Sequence, residues 1–170
     1  MVQDIESLIK SYVWSMDELD KNKWLSIFSK NLRSYKAYMY DKSDPVAQIP
    51  VDSEDPLYNE IGNLSPKKQL AAKCDSMVFK RVKLAHSMLS NIMIDMIDDN
   101  TARGRDYFRH WEIVDPMHPA SASRNLDDKH WYFQEGKHEW EFKREDGAWK
   151  VTNFKCVIFR SEARKRQDLE

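Results

Sequence analysis

The chain has 170 residues, and 27 Lys and Arg against 28 Asp and Glu leave a formal charge of −1. With 41% hydrophobic residues it can bury one domain-sized core, and the balanced charge excludes a basic nucleic-acid surface or an acidic tail. The four glycines, Gly62, Gly104, Gly136 and Gly147, lie too far apart for a phosphate-cradling loop, and four glycines with six prolines are too few for a disordered linker. Two cysteines, Cys74 and Cys156, are too few for a secreted disulfide scaffold and read as free thiols in a reducing compartment. The amino terminus lacks a basic region followed by an apolar run, and no stretch approaches about 18 apolar residues. A soluble, cytoplasmic protein is the expectation.

In chain order, Ile5, Leu8, Ile9, Tyr12, Val13 and Met16 recur at three- and four-residue steps, the stripe of an amphipathic helix. Asp20-Lys-Asn-Lys breaks the pattern, and a short helix over Trp24–Ser29 follows. Residues 33–40, rich in tyrosine, suit a strand. Residues 41–66 carry Pro45, Pro50, Pro56 and Pro66 among six acidic residues and read as a long loop or lid. A helix from Pro66 to about Lys80 has Ser65 as its N-cap. Strands are predicted over 82–95, 101–114, 130–143 and 149–160, turning at Asp98-Asp99-Asn100 and Glu145-Asp146-Gly147, with a polar loop over 115–129. Residues 161–170 read as a short helix or frayed tail. Helices first and a long antiparallel sheet afterwards imply a single α+β domain over 1–170: a curved sheet wrapped around the N-terminal helices, with an internal pocket between the layers.

Strand alternation assigns faces. Glu135, Lys137, Glu139, Glu141 and Lys143 form a charged outer face, opposite Tyr132, Gln134, Gly136, His138, Trp140 and Phe142. Arg103, Arg105, Tyr107, Arg109 and Trp111 point outward, so Ala102, Gly104, Asp106, Phe108 and His110 point inward. In the preceding strand Leu84, His86, Met88, Ile92 and Ile94 share a phase, which makes His86 a third inward histidine. His118 and His130 fall in a loop or at a strand end. Gly104 and Gly136 leave room on the inner face for a ligand. Buried imidazoles beside Asp106 need partners, and imidazole titrates near neutrality. Each member also has a plain structural reading: a core histidine with a satisfied ring, Asp20 as a helix cap, Asp106 as an arginine partner, and Tyr35, Tyr38 and Tyr40 as packing.

With these elements, Asp20 four residues before Trp24, LAHSML around His86, TARGRDYFRHW leading to His110, and the EDGAWKV hairpin, the chain resembles the SnoaL-like group of the nuclear-transport-factor-two-like superfamily. Within it, the resemblance is closest to scytalone dehydratase and bile-acid 7α-dehydratase. It implies a cone-like α+β barrel. It matches Asp20 to a pocket aspartate at the end of the first helix, His86 to a histidine on the strand before the turn, and His110 to the next strand's catalytic position. The chain departs from these families at Leu19 and Ser15, where they have tyrosines, and at Gly136 and His138, where scytalone dehydratase has serine and asparagine.

The function expected is a cofactor-free lyase (dehydratase) or isomerase, acting by His/Asp acid–base catalysis on a hydrophobic cyclic substrate. Either histidine can be the base; the preferred assignment has His86, held by Asp20, as base and His110 as acid. Tyr38 and Tyr40 bond the developing enolate, and Asp106, Phe108, His138, Trp140 and Met16 line the substrate. The alternative is a ligand-binding protein or a structural subunit of an oxygenase-type complex. A metal site of two histidines and a carboxylate ranks last. Trp111, Trp131 and Phe133 on the outer face imply a homo-oligomer, a dimer on general grounds or a trimer from the resemblance.

Overall fold

The computed structural model describes residues 2–40, 48–50 and 64–166. Helix α1 spans Val2–Asp17 and buries Ile5, Ile9, Tyr12 and Val13, the stripe that its periodicity dictates. A tight turn with Leu19 in the left-handed region (φ 55°) leads to α2, Lys21–Ile27. Strand β1 (Ser34–Tyr40) pairs with a three-residue β2 (Gln48–Pro50) inside the segment expected to be a loop. The rest of that loop, and the question of a lid, lie outside the described residues. Helix α3 is Pro66–Cys74; from Asp75 to Phe79 the helix widens into a π turn, so the predicted helix is two structures. Ser65 stands at the N-cap position without a side-chain hydrogen bond.

Four long strands follow: β3 (Val82–Met96), β4 (Thr101–Val114), β5 (His130–Glu145) and β6 (Ala148–Lys165), with a four-residue helix α4 (Pro119–Ala122) between β4 and β5. The β5–β6 hairpin turns at Asp146 and Gly147, both at positive φ, which matches the twist of the strands. The predicted tail is a strand as far as Lys165: His130–Glu135 pair with Arg160–Lys165, and Arg164 lies over the Phe133 ring. The strand order is β2-β1-β6-β5-β4-β3, with β1 parallel to β6 and the other pairs antiparallel. This open, curved sheet holds α1 and α2 on its inner face, the α+β architecture expected. Among the described residues no helix is long and apolar enough to cross a membrane.

The core is aromatic. Trp24, Phe28, Trp140, Phe142 and Phe154 are all but inaccessible, and Tyr12 contacts Trp24, Phe28, Trp140 and Phe154. The space expected at the two inner-face glycines is taken by this packing. A Cβ on Gly104 would lie 3.0 Å from the Phe142 ring; one on Gly136 would lie 2.1 Å from the Val157 carbonyl oxygen and 2.8 Å from the Phe108 ring. Gly136 is needed because β6 bulges toward it, where the register steps between Glu135 and Gly136. Gly136→Ala is therefore expected to destabilise the fold by about 3 kcal/mol, the upper end for an overpacked core, measured by urea unfolding; a stability equal to wild type would show that the close approach is not obligatory.

Candidate functional site

Asp17 follows Val13 by one helical turn and Ile9 by two, so its carboxylate leaves α1 on the buried stripe. It sits at the negative end of the helix dipole, where a carboxylate is disfavoured by about 0.3–1 kcal/mol. Strand β3 offsets this. As an edge strand it has N–H groups that no neighbouring strand takes, and Asp17 Oδ2 accepts the Ser87 N–H at 2.9 Å. Asp17 Oδ1 accepts the Ser87 hydroxyl at 2.7 Å.

Ser87 faces His110 across the β3–β4 pair, so the two share the inner face. Ser87 Oγ is 2.8 Å from His110 Nδ1, and His110 Nε2 is 3.2 Å from Glu112 Oε2. Arg81, just before β3, grips Glu112 with both ends of its fork at 2.6 and 2.8 Å. Arg81 and Glu112 are buried, whereas the His110 side chain is 12% exposed.

Proton bookkeeping assigns the ring. A hydroxyl carries one proton, and with Asp17 as carboxylate that proton goes to Asp17. Ser87 Oγ therefore accepts from His110 Nδ1–H, which fixes the tautomer and leaves Nε2 as the nitrogen that gains and loses a proton. Glu112 faces Nε2 as an acceptor. Burial pushes the Glu112 carboxyl up, but the hydrogen bond from His110 and the charge of Arg81 outweigh it and hold it at about 2.

A second polar cluster lies deeper. Asp106 Oδ1 is 2.8 Å from His138 Nδ1, and Asp106 Oδ2 accepts the Trp140 indole N–H at 2.6 Å. The His138 ring stacks on Phe108 with centroids 4.3 Å apart. Both Asp106 oxygens are used, as a buried carboxylate requires. Burial, then the charge of Asp106, pushes the neighbouring Cys156 thiol well above its usual range. Burial, then Tyr35, does the same to the Tyr12 hydroxyl, which lies 3.2 Å from that of Tyr35.

Of the predicted catalytic residues, His110 stands in the first cluster and the other two do not join it. His86 is exposed on the outer face, its ring 6.1 Å from that of its cross-strand partner Trp111. The reason is a β-bulge between Ser90 and Met93, where Asn91 has φ 53°. The bulge inverts the alternation, so Ile92 and Ile94 face inward while His86, in the same sequence phase, faces outward. Asp20 is exposed and caps α2, accepting the Lys23 N–H at 2.9 Å. The helix-end carboxylate that reaches the sheet is Asp17.

Asp106, Phe108, His138 and Trp140, read as substrate-lining, come together as a buried cluster, and Met16 packs against the core. Tyr38 and Tyr40 do not reach the inner face: Tyr38 lies under the Lys155 ammonium, and Tyr40 packs on Phe159. Alternation along β1 places Tyr35 inward instead, stacked on Phe154. His118 caps α4 and His130 pairs with Asp127. Asp17, Ser87, Glu112 and Arg81 were missed. A signal existed for two of them: Asp17 extends the apolar stripe of α1, and Glu112 shares the parity of Phe108 and His110. Ser87 and Arg81 required the register.

Among the described residues no group of three or more His, Cys, Asp or Glu is arranged to hold a metal ion. A profile described as a SnoaL-like domain matches residues 2–155. No curated protein matches the chain in sequence. Solved structures match in fold. One is a hexachlorocyclohexane dehydrochlorinase (LinA) type 2, with TM-score 0.64, 10% identity, and 99% of this chain and 92% of that chain covered. Another is a candidate scytalone dehydratase from Novosphingobium aromaticivorans, with TM-score 0.65, 12% identity, and 98% and 89% covered. A third is the β subunit of a candidate aromatic-ring-hydroxylating dioxygenase from the same organism, with TM-score 0.63, 11% identity, and 93% and 88% covered.

The Glu112 carboxyl is lower in the folded chain than its ordinary 4.5. Its contribution to stability is thus complete above pH 4.5 and is lost as pH falls toward 2. By pH 3 that loss is about 2 kcal/mol. Asp75, Asp98, Asp127 and Glu162 are also held low and add to the loss in both proteins, so urea unfolding at pH 6 and pH 3 should show a fall in stability about 2 kcal/mol larger in wild type than in Glu112→Gln; equal pH dependence in both would refute it.

Proposed function

Because the chain belongs to the SnoaL-like domain family, we propose that it is a lyase or isomerase that moves a proton with its own side chains, His110 being the group that carries it. The observation behind this reading is the suspension of His110 between Ser87–Asp17 on Nδ1 and Glu112 on Nε2. Once Nε2 has given up the proton it shares with Glu112, it takes one from a carbon beside a carbonyl, and the electron pair of that C–H bond passes into the enolate. Glu112 stabilises the charged ring, while Ser87 and Asp17 hold its orientation. Return of the proton to a leaving hydroxyl releases water; return to another carbon isomerises the substrate. A hydrophobic cyclic substrate suits the carbon surface that Phe108 and its cross-strand partner Leu89 supply two residues along the strands from His110 and Ser87. Two of the fold neighbours are named for eliminations, a dehydrochlorinase and a dehydratase, which supports the reaction class.

A second reading is a non-catalytic role, favoured by the deep cluster: Asp106 is saturated and His138 is packed among Phe108, Trp140 and Phe154. The oxygenase β subunit shows that the fold also occurs in a subunit of a larger enzyme. The two readings separate on a panel of cyclic β-hydroxy carbonyl compounds. Wild type should dehydrate or isomerise at least one of them, with His110→Ala slower by about 10²–10⁴-fold and Ser87→Ala slower to a lesser degree. No turnover by wild type, or turnover retained in His110→Ala, would leave the binding reading in its place.

We also infer that the chain self-associates through the outer face of the sheet. Leu84, Met88, Met93, Tyr107 and Phe159 are 42–55% exposed there, beside Trp111 and Phe133. The outward arginines of β4 (Arg103, Arg105, Arg109) run alongside the outward glutamates of β5 (Glu135, Glu139, Glu141). A second copy rotated by a two-fold axis sets each stripe against its opposite. Sedimentation at micromolar concentration should give an oligomer for wild type and a monomer for Met88→Glu/Tyr107→Glu; a monomeric wild type would refute the inference.

A further inference from the structure

We propose that the buried Arg81–Glu112 pair is the positioning unit for His110, fixing its ring and setting how readily Nε2 holds a proton, and that the π turn before β3 exists in this chain as the anchor of that pair. The proposal rests on His110 as the proton carrier and goes beyond it by assigning a role to two residues that need not touch substrate.

The anchor is a matter of hydrogen-bond accounting. In an α-helix the Met77 carbonyl would accept the N–H of residue 81. Here the winding differs: the Lys80 N–H reaches back to Asp75 and the Arg81 N–H goes to Val78. The Met77 carbonyl is thereby available, and the Arg81 side chain takes it with Nε at 3.0 Å and Nη2 at 2.8 Å. The other edge of the same guanidinium holds both oxygens of Glu112. Four donor contacts on a planar group fix its position and direction, which a lysine ammonium could not reproduce.

Glu112 inherits that rigidity. Its Oε2 receives both Arg81 Nη2 and His110 Nε2, so the carboxylate can neither swing away from the ring nor leave the guanidinium. A buried ion pair costs several kcal/mol of desolvation per ion and is weak evidence of stabilisation by itself. Its effect on a third group is direct. The carboxylate 3.2 Å from Nε2 favours a proton there, and Arg81 tempers that attraction. The other groups around the ring are Ser87 and, through it, Asp17, from β3 and α1. On β5, Tyr132 pairs with Glu112 in register, its phenol pushed up by burial, and Gln134 pairs with His110. No second cation among the described residues forms an ion pair with Glu112 or bonds the ring.

The test reads the ring rather than turnover. In wild type the His110 resonances are followed by NMR against pH, and again in Glu112→Gln and Arg81→Lys. Glu112→Gln removes the acceptor charge and leaves the guanidinium uncompensated, so the His110 midpoint should fall by about one pH unit or more. Should that variant fail to fold, Glu112→Asp, which keeps the charge but draws it back from the ring, should lower the midpoint in the same direction. Arg81→Lys keeps the positive charge but loses the fork, and should lower kcat at unchanged KM. A folded Glu112 variant with the wild-type midpoint would overturn the proposal. A shifted midpoint together with full turnover by His110→Ala would instead refute the catalytic reading and leave the positioning intact.

Discussion

The register between β3 and β4 is the constraint on which the site depends. One extra residue at Asn91 inverts the alternation of β3 from Ser90 back to Leu84, before a second register step toward Val82. Ser87 turns toward the helices opposite His110, Ala85 toward them opposite Glu112, and His86 goes out to the other face beside Trp111. A strand without the bulge would present His86 to the end of α1 and remove Ser87 from between Asp17 and His110. A single local irregularity thus decides which side chain links helix to sheet, because a one-residue slip exchanges every side chain between faces.

The inner face carries two polar clusters with different surroundings. The first runs from Asp17 through Ser87 and His110 to Glu112 and Arg81. The second, Asp106 with His138 and Trp140, lies within an aromatic core and is closed on itself. The same residue types serve both. What separates them is access and saturation: His110 keeps some exposure and has both ring nitrogens in contact with groups that can share a proton, whereas both oxygens of Asp106 are consumed by rigid partners. An imidazole whose proton can be lost and regained belongs in the first setting.

Much of the fold was legible in the sequence. The α1 stripe, the strand over 101–114, the alternating charges of β5 and the positive-φ turn at Asp146-Gly147 each express a rule that acts over a few residues. Errors arose where a distant partner decides. The tail reads as charged and frayed, yet it continues β6 because His130–Glu135 offer it a ladder. The inner glycines read as open space, yet Phe142 and the Val157 carbonyl occupy it. Asp20 had two local readings, cap or catalyst, and the cap is what its geometry shows, while Asp17 was concealed by being one more position on a helix face.

The sequence by itself determined the class of fold, the helix and strand order, the inward placement of His110, Asp106 and His138, and membership of a family whose pattern spans most of the chain. Those follow from periodicity and composition, which are local properties of the chain. Tertiary structure alone decided which carboxylate meets which imidazole. Pairing Asp17 with Ser87, Ser87 with His110 and Arg81 with Glu112 joins positions up to 70 residues apart. Such contacts depend on a bulge, a π turn and a strand register, which arise from packing against partners that no local pattern records.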